Sequence, residues 1–427
     1  MKKGIYNLYL FILHFFIYFS CYLNLPKFCA YLVKISFYKP KLFRNKSKNK
    51  KLFVILNRSI GGFRDIELVH KSSNQTFEFI FMRRSVVKIV STCFINKKKI
   101  FLNYFKPRPL KKDFLNQKLD DKRKHQEFWT KVIFNLKSYY RERDLNFVTF
   151  AYYYDVEFAL FEGCKNNNIP VKLWSKENFL SEPDMKIHIK INEYKYAFNY
   201  FHKISVYNEL MKKMLIGMNK SNKKKITING CPRIFDFIDK KKKYKKIKNI
   251  LFLSFNRQGI PETEKYKKLD FGKSHDKVIK ILNDLSKNKD LNIYIKRKNI
   301  LANANTYRTS VQIDSKIKIF EEGTAEKFIN EADIIIGQNS SSTIEALANG
   351  KYVMIPFFEK KFMYKYLYKF NKNIIYNSEK KIKKDILKLT KKRVLFPLKD
   401  KRHKKTIQYY LGSSNRVMEN YVKFLNS

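Results

Sequence analysis

The stretch Ala332-Asp-Ile-Ile-Ile336-Gly-Gln-Asn339-Ser-Ser-Ser-Thr343-Ile-Glu345-Ala-Leu-Ala-Asn-Gly350-Lys-Tyr-Val-Met-Ile355-Pro356 decides the fold of its half of the chain. Asp333–Ile336 reads as a buried strand and the small polar residues after it as a turn. Thr343–Asn349 then reads as a helix stopped by Gly350, and Tyr352–Pro356 as the next strand. Strand, helix and strand in this order make the βαβ unit of a parallel sheet. The turn is where chemistry can sit. Ser and Thr at a helix start present hydroxyls and backbone N–H groups to an anion such as a diphosphate, and the helix dipole favours negative charge there. Glu345 lies about one turn into the helix, where a carboxylate can accept hydrogen bonds from a pair of neighbouring hydroxyls. By the plainer account the serines only cap the helix and Glu345 only complements its dipole.

Working outward, the same rhythm continues on both sides. Strands are expected at Ile250–Phe255, Leu291–Lys296 and Ile317–Phe320, with helices at Asp276–Asn288 and Glu326–Glu331. Upstream, Leu52–Leu56 reads as a buried strand running into Asn57-Arg-Ser-Ile-Gly61-Gly62, a tight turn. Thr76–Phe81, Val86–Val90, Asn146–Phe150 and Val171–Trp174 are further expected strands, with a helix over Asp155–Asn166 and an exposed loop over Lys106–Lys124. Tyr194–Met218 has a helical pattern and leads to a short strand and turn at Ile226–Arg233. Asp239–Lys248 holds seven lysines without apolar periodicity and reads as a solvated linker. The expected fold is therefore α/β, with two doubly wound Rossmann-like domains behind an N-terminal apolar helix. Its expected parts are an apolar segment 1–44, a first domain 45–238, a linker 239–249, a second domain 250–395 and a tail 396–427. An amphipathic helix over Asn415–Leu425 closes the tail.

Composition narrows the function. A chain of 427 residues, 44% hydrophobic and 16% aromatic, can bury two ordinary cores. The formal net charge is +53, but the excess is mostly lysine spread along the whole length with Asn, Ile, Phe and Tyr. A nucleic-acid binder more often gathers its charge on one face or arm, with arginines to read bases, so no nucleic-acid partner is expected. Affinity for anionic lipid or phosphate is the remaining use of such a charge. The five cysteines, Cys21, Cys29, Cys93, Cys164 and Cys231, are scattered without CxxC spacing, and the seven histidines form no HxxxH or HExxH pair. Neither a disulfide framework nor a metal site is expected, and a reducing compartment fits best.

Gly4–Pro26 contains no charged residue and is long enough to cross a hydrocarbon core as a helix. Asn7, His14, Ser20 and Asn24 interrupt it, and its recurring tyrosines prefer the headgroup level. A spanning anchor, a helix lying in the interface and a helix packed on the protein's own core all remain open. Lys27, Lys34, Lys39, Lys41 and Arg44 follow the run while only Lys2 and Lys3 precede it, which favours the cytoplasmic face of the membrane for the body of the chain.

With these residues in view, Asp333–Pro356 resembles the donor-site signature of the GT-B glycosyltransferase superfamily, whose ground plan also occurs in sugar-nucleotide 2-epimerases and CDP-glycerol glycerophosphotransferases. Ile226–Asp236 is similar to the Gly-x-Pro-Arg-x-x-Asp element of its surface-carbohydrate (capsule and lipopolysaccharide) branch. Ile250–Phe255 and Ile293–Lys298 are similar to that branch's paired strand motifs, and the likeness covers roughly residues 140–425. The resemblance implies a metal-independent enzyme moving a sugar from a UDP-, CDP- or GDP-linked donor to a polysaccharide or lipid-linked acceptor. No cofactor beyond the nucleotide-sugar co-substrate is implied. Asn339, Ser340, Ser341, Ser342 and Thr343 would meet the donor phosphates and Glu345 the ribose. Lys296, Arg297 and Lys298 would neutralise the leaving diphosphate. Arg233 would reach the interdomain cleft or else pair with Asp236. The acceptor-side base would be one of Asp65, Asp155, Glu157 and Glu177, carboxylates near strand C-ends, where open parallel sheets place their sites. A CDP-polyol phosphotransferase would use the same donor residues. A membrane-associated nucleotide-binding protein without catalysis is the alternative from another class.

Overall fold

The computed structural model describes residues 3–43, 51–57, 60–73, 77–95, 117–175, 182–191, 195–237, 243–255, 271–297, 309, 311–338, 340–358, 369–396, 401–412 and 416–427. The chain forms two compact units, one of residues 1–178, 185–232 and 414–427, the other of residues 179–184 and 233–413. Each is an α/β unit built on a six-stranded parallel sheet.

The first unit's strands are β1 (Lys51–Asn57), β2 (Glu78–Arg83), β3 (Asp144–Thr149), β4 (Val171–Trp174), β5 (Lys203–Val206) and β6 (Ile226–Ile228). They lie in the order β2-β1-β3-β4-β5-β6, all parallel. Its helices are α1 (Lys3–Tyr22), α2 (Pro26–Ser36), α3 (Ile60–Ser72), α4 (Arg84–Ile95), α5 (Leu119–Tyr139), α6 (Phe158–Asn166) and α7 (Glu209–Met218). Phe53, Phe79, Phe81, Val148 and Trp174 pack one core cluster. The C-terminal helix Val417–Asn426 completes that cluster with Tyr421, Phe424 and Leu425. Tyr421 stacks on Trp174 at 4.2 Å between ring centroids. Lys172, buried on β4, donates to the carbonyls of Phe424 (2.9 Å), Leu425 (2.7 Å) and Ser427 (2.5 Å), so an ammonium caps the end of this helix. Burial and the neighbouring Lys51 and Lys203 push Lys172 down to about 7.

Three expectations are corrected in this unit. Val86–Val90 is helical, inside α4: Val86, Val87, Val90 and Cys93 are buried at the spacing of a helix face, a period that a five-residue window of valine and isoleucine does not reveal. Of the expected loop Lys106–Lys124, residues 119–124 begin α5, and its residues before 117 lie outside the described ones. Tyr194–Met218 is a short turn of helix, then β5, then α7. Ile204, Ser205 and Val206 of β5 are buried in succession, so this interior strand lacks the alternation that marks a half-exposed one.

The second unit's sheet is formed by β8 (Asn249–Leu253), β9 (Asn292–Lys296), β10 (Lys318–Phe320), β11 (Ile334–Ile336), β12 (Tyr352–Pro356) and β13 (Ile375–Tyr376). Their order is β10-β9-β8-β11-β12-β13, again parallel. Around it lie α8 (Phe271–Leu285), α9 (Ala325–Glu331), α10 (Ser341–Ala348), α11 (Glu379–Thr390) and α12 (Lys401–Leu411). Val278, Leu282, Ile295, Ile334, Ile336 and Ile386 belong to its core. The lysine run expected as linker contributes β7 (Lys243–Lys246), which pairs antiparallel with β14 (Arg393–Phe396) in a two-stranded ribbon. Such a lysine-rich ribbon buries little and leaves no hydrophobic period to read.

Candidate functional site

In each sheet, two neighbouring strands lead their following segments to opposite sides, and open α/β sheets bind ligands beyond the strand C-ends at that switch point. In the second unit the switch lies between β8 and β11. The quoted stretch therefore sits on it. Strand β11 ends in Ile336 and passes through Gly337, where an added Cβ would lie 3.2 Å from Thr343 Oγ1 and 3.4 Å from Leu253 Cβ. Glycine lets the turn close tightly against both. Ser340 is the N-cap of α10, its Oγ accepting from Thr343 N at 3.3 Å. Thr343 is buried and donates its hydroxyl to Gln338 O at 2.5 Å. The capping account thus describes the side chains of Ser340 and Thr343, while Ser341 and Ser342 remain half-buried hydroxyls on the first turn. Asn339 lies outside the described residues.

Glu345 is 3% exposed, and its Oε1 accepts from Arg233 Nη1 at 2.7 Å. Arg233 is the residue at which the chain enters the second unit, 112 positions before its partner. Of the two roles expected for it, neither foresaw this ion pair, because sequence offers only near neighbours such as Asp236 as partners. A carboxylate this buried needs a cation, and the pair fixes Glu345 one turn inside the Ser-lined helix start.

The basic strand end behaves differently from expectation. Lys296 is buried and donates to Arg297 O (2.5 Å) and Glu321 O (3.0 Å), with its pKa lowered by burial. Arg297 pairs with Glu321 at 3.3 Å. Both therefore hold the segment after β10 in this structure, and Lys298 lies outside the described residues. At the end of β8, Ser254 Oγ meets His275 Nε2 of α8 at 2.9 Å, with the imidazole packed against the rings of Phe252 and Phe255. The sequence reading missed this pair; its one signal was a serine directly after a buried strand.

In the first unit the switch lies between β1 and β3. Glu157, just beyond β3, is fully buried; Thr149 Oγ1 donates to its Oε2 at 3.4 Å, and Arg84 Nε lies 4.0 Å from its Oε1. The Arg84 guanidinium stacks over Tyr154 at 3.8 Å. Lys88, one turn along α4, has its pKa lowered by burial and by Arg84, with Glu157 opposing. Asp65 is elsewhere: on α3, fully buried, accepting from Tyr207 OH at 2.6 Å. Burial, with Asp65 nearby, pushes the Tyr421 phenol up. Asp65 is thus part of the packing beneath the C-terminal helix. The turn containing Asp155 is described but its side chain is not, and Glu177 lies outside the described residues. Among the described residues, no group of three or more His, Cys, Asp or Glu is placed to hold a metal.

Two Rossmann-like units, the first completed by the chain's C-terminal helix, define the class of protein by fold. No family model matches the chain, and no curated protein matches it. Among solved structures it is similar to the UDP-GlcNAc 2-epimerase of Neisseria meningitidis bound to UDP-GlcNAc, at 12% identity and TM-score 0.49, over 88% of this chain and 99% of that one. The UDP-GlcNAc 2-epimerase of Methanocaldococcus jannaschii is similar at 13% identity and TM-score 0.48, over 88% and 99%. The glycotransferase of kitacinnamycin is similar at 10% identity and TM-score 0.44, over 88% and 100%. Likenesses of this degree assign no activity to the chain.

Proposed function

We propose that this protein is a glycosyltransferase of the GT-B kind, taking a sugar from a nucleotide-sugar donor bound at the β8/β11 switch point of the second unit. The observation that supports it most is the buried Glu345, held by Arg233 one turn inside the Ser-lined start of α10. Backbone N–H groups and the hydroxyls of Ser341 and Ser342 suit a diphosphate, and a carboxylate at that depth suits the two hydroxyls of a ribose. The acceptor's proton goes to a carboxylate of the first unit, and Glu157 fits best of the four by its place beyond β3. Arg84 Nε lies beside it, 4.0 Å from Oε1. A polysaccharide or lipid-linked acceptor, at the cytoplasmic face of a membrane, is part of the proposal.

Product analysis tests it. Purified protein incubated with UDP-, CDP- or GDP-sugars and a lipid-linked acceptor extract is expected to release nucleoside diphosphate and extend the acceptor. Release of nucleoside monophosphate from a CDP-polyol would instead mark phosphoryl transfer. Epimerisation of the free donor without acceptor would mark a 2-epimerase, and binding without turnover a non-catalytic protein.

A further inference from the structure

We propose that α1 and α2 form a hairpin that lies in the plane of an anionic lipid surface, docking the first unit on it without crossing it. Fourteen of the nineteen exposed large apolar side chains among the described residues lie between Ile5 and Ile35. Leu8, Phe11, Phe15 and Phe19 on α1 and Phe28 and Tyr31 on α2 are each more than two-fifths exposed. A contiguous apolar face of this kind on a protein surface marks a docking site.

The partner is argued from charge and from how the hairpin is held. No Asp or Glu precedes Asp65, whereas Lys27 is exposed between the exposed Leu25 and Phe28, and Lys41 is exposed shortly after α2. Helix α4, packed on α1, carries Arg84 and Lys88 and no acid; α5, packed on α2, carries five basic residues against three acidic ones. An apolar face with a basic border suits anionic lipid. By length and mean hydropathy (1.5) Gly4–Tyr22 passes for a spanning helix. Its setting is that of an in-plane one. Asn24 turns the chain at φ 52°, and Tyr9 OH donates to Ile35 O at 3.4 Å, so the two helices run back to back. Leu13, Ile17, Ser20 and Cys21 form a buried stripe on α1, whose packing partners are α2 and α4, and His14 Nε2 meets Ser85 Oγ at 3.1 Å. Crossing the bilayer would strip that stripe from its partners.

Three successive residues join this face to the first unit's switch point. Arg83 stacks over Tyr6 of α1, Arg84 faces Glu157, and Ser85 meets His14. On the transferase reading above, which only this last step rests on, the acceptor would be lipid-borne.

The test is flotation of the full-length protein with vesicles of phosphatidylcholine alone or with one third phosphatidylglycerol. Binding is expected on the anionic vesicles, weakened by high salt. Phe15→Ser with Phe19→Ser is expected to lower partitioning more than about 100-fold, from two large side chains returned to water. Tyr244→Ser, at an exposed aromatic of the β7 ribbon, is expected to change nothing. Equal binding to both vesicle types, or a double variant that still binds, would overturn the proposal. So would a discrete dimer that ignores vesicles, which would give the face to a second copy. A protease-cleavable tag before Met1 is expected to be fully removed from outside sealed vesicles; a protected fraction would mean a crossing helix and overturn the in-plane placement. Nucleotide titration needs no lipid, so its failure would count against the donor reading alone.

Discussion

The two units share a six-stranded parallel sheet yet build their switch points in opposite ways. In the second, the strand end, turn and helix that present Ser341, Ser342 and Glu345 come from one continuous stretch, with Arg233 recruited from afar. In the first, Glu157 follows β3 while Arg84 comes from α4, 73 residues earlier, by way of a different strand. A site written in one segment suits a ligand whose chemistry is fixed, such as a nucleotide diphosphate. A site assembled from separate elements leaves each contributor free to change, as the proposed acceptor side would need.

Breaking the Arg233–Glu345 pair of the second unit should have the largest effect. Arg233→Leu would leave the Glu345 carboxylate buried without its arginine, at a cost on the order of 3 kcal/mol. Urea denaturation should show the loss, and Arg233→Leu with Glu345→Leu should recover much of it; a double loss equal to the sum of the two single losses would mean the pair is not coupled. In the first unit the expected effect falls on turnover. Glu157→Gln keeps the shape and removes the proposed base, so on the proposed function turnover should drop about 100-fold or more with nucleotide affinity unchanged. A turnover loss matched by an affinity loss would place Glu157 in folding or in donor binding.

A smaller difference concerns acid. His125 of α5 stacks on Phe94 and is pushed down to about 3 by burial, from an ordinary 6.5. Between those values the unfolded chain takes up a proton that the native imidazole refuses, so stability present above pH 6.5 is lost as the pH falls toward 3. Thermal unfolding followed from pH 7 to pH 4.5 should show this loss, and His125→Phe should flatten it. An unchanged pH slope would assign the acid sensitivity to other groups.

The same contrast explains what could be read without coordinates. Strands β8, β9, β11 and β12 were legible because each is a short apolar run bounded by polar or charged residues, and the helix after Ser340 because small polar residues open it and Gly350 closes it. Within Asp333–Pro356, spacing put Glu345 one turn into the helix, as the structure has it, but did not show that Thr343 turns inward to Gln338 or that Glu345 is met by Arg233. Those depend on tertiary approach. Valines 86, 87 and 90 suit strand and helix alike until their burial is known, and the lysines of β7 show no period because the ribbon buries none. The C-terminal helix was legible as a helix; its return to the first unit was not, since Lys172 and Trp174, which receive it, stand about 250 residues away.

The most direct test of the donor site is a calorimetric titration of the purified protein with UDP, CDP and GDP, comparing wild type with Glu345→Ala. The expected result is saturable binding of one nucleotide, weakened by Glu345→Ala by more than about tenfold, or about 1.4 kcal/mol. A folded sample that binds none of the three, or a variant that binds as tightly as wild type, would contradict the assignment of Glu345 and the α10 turn to a nucleotide-sugar donor.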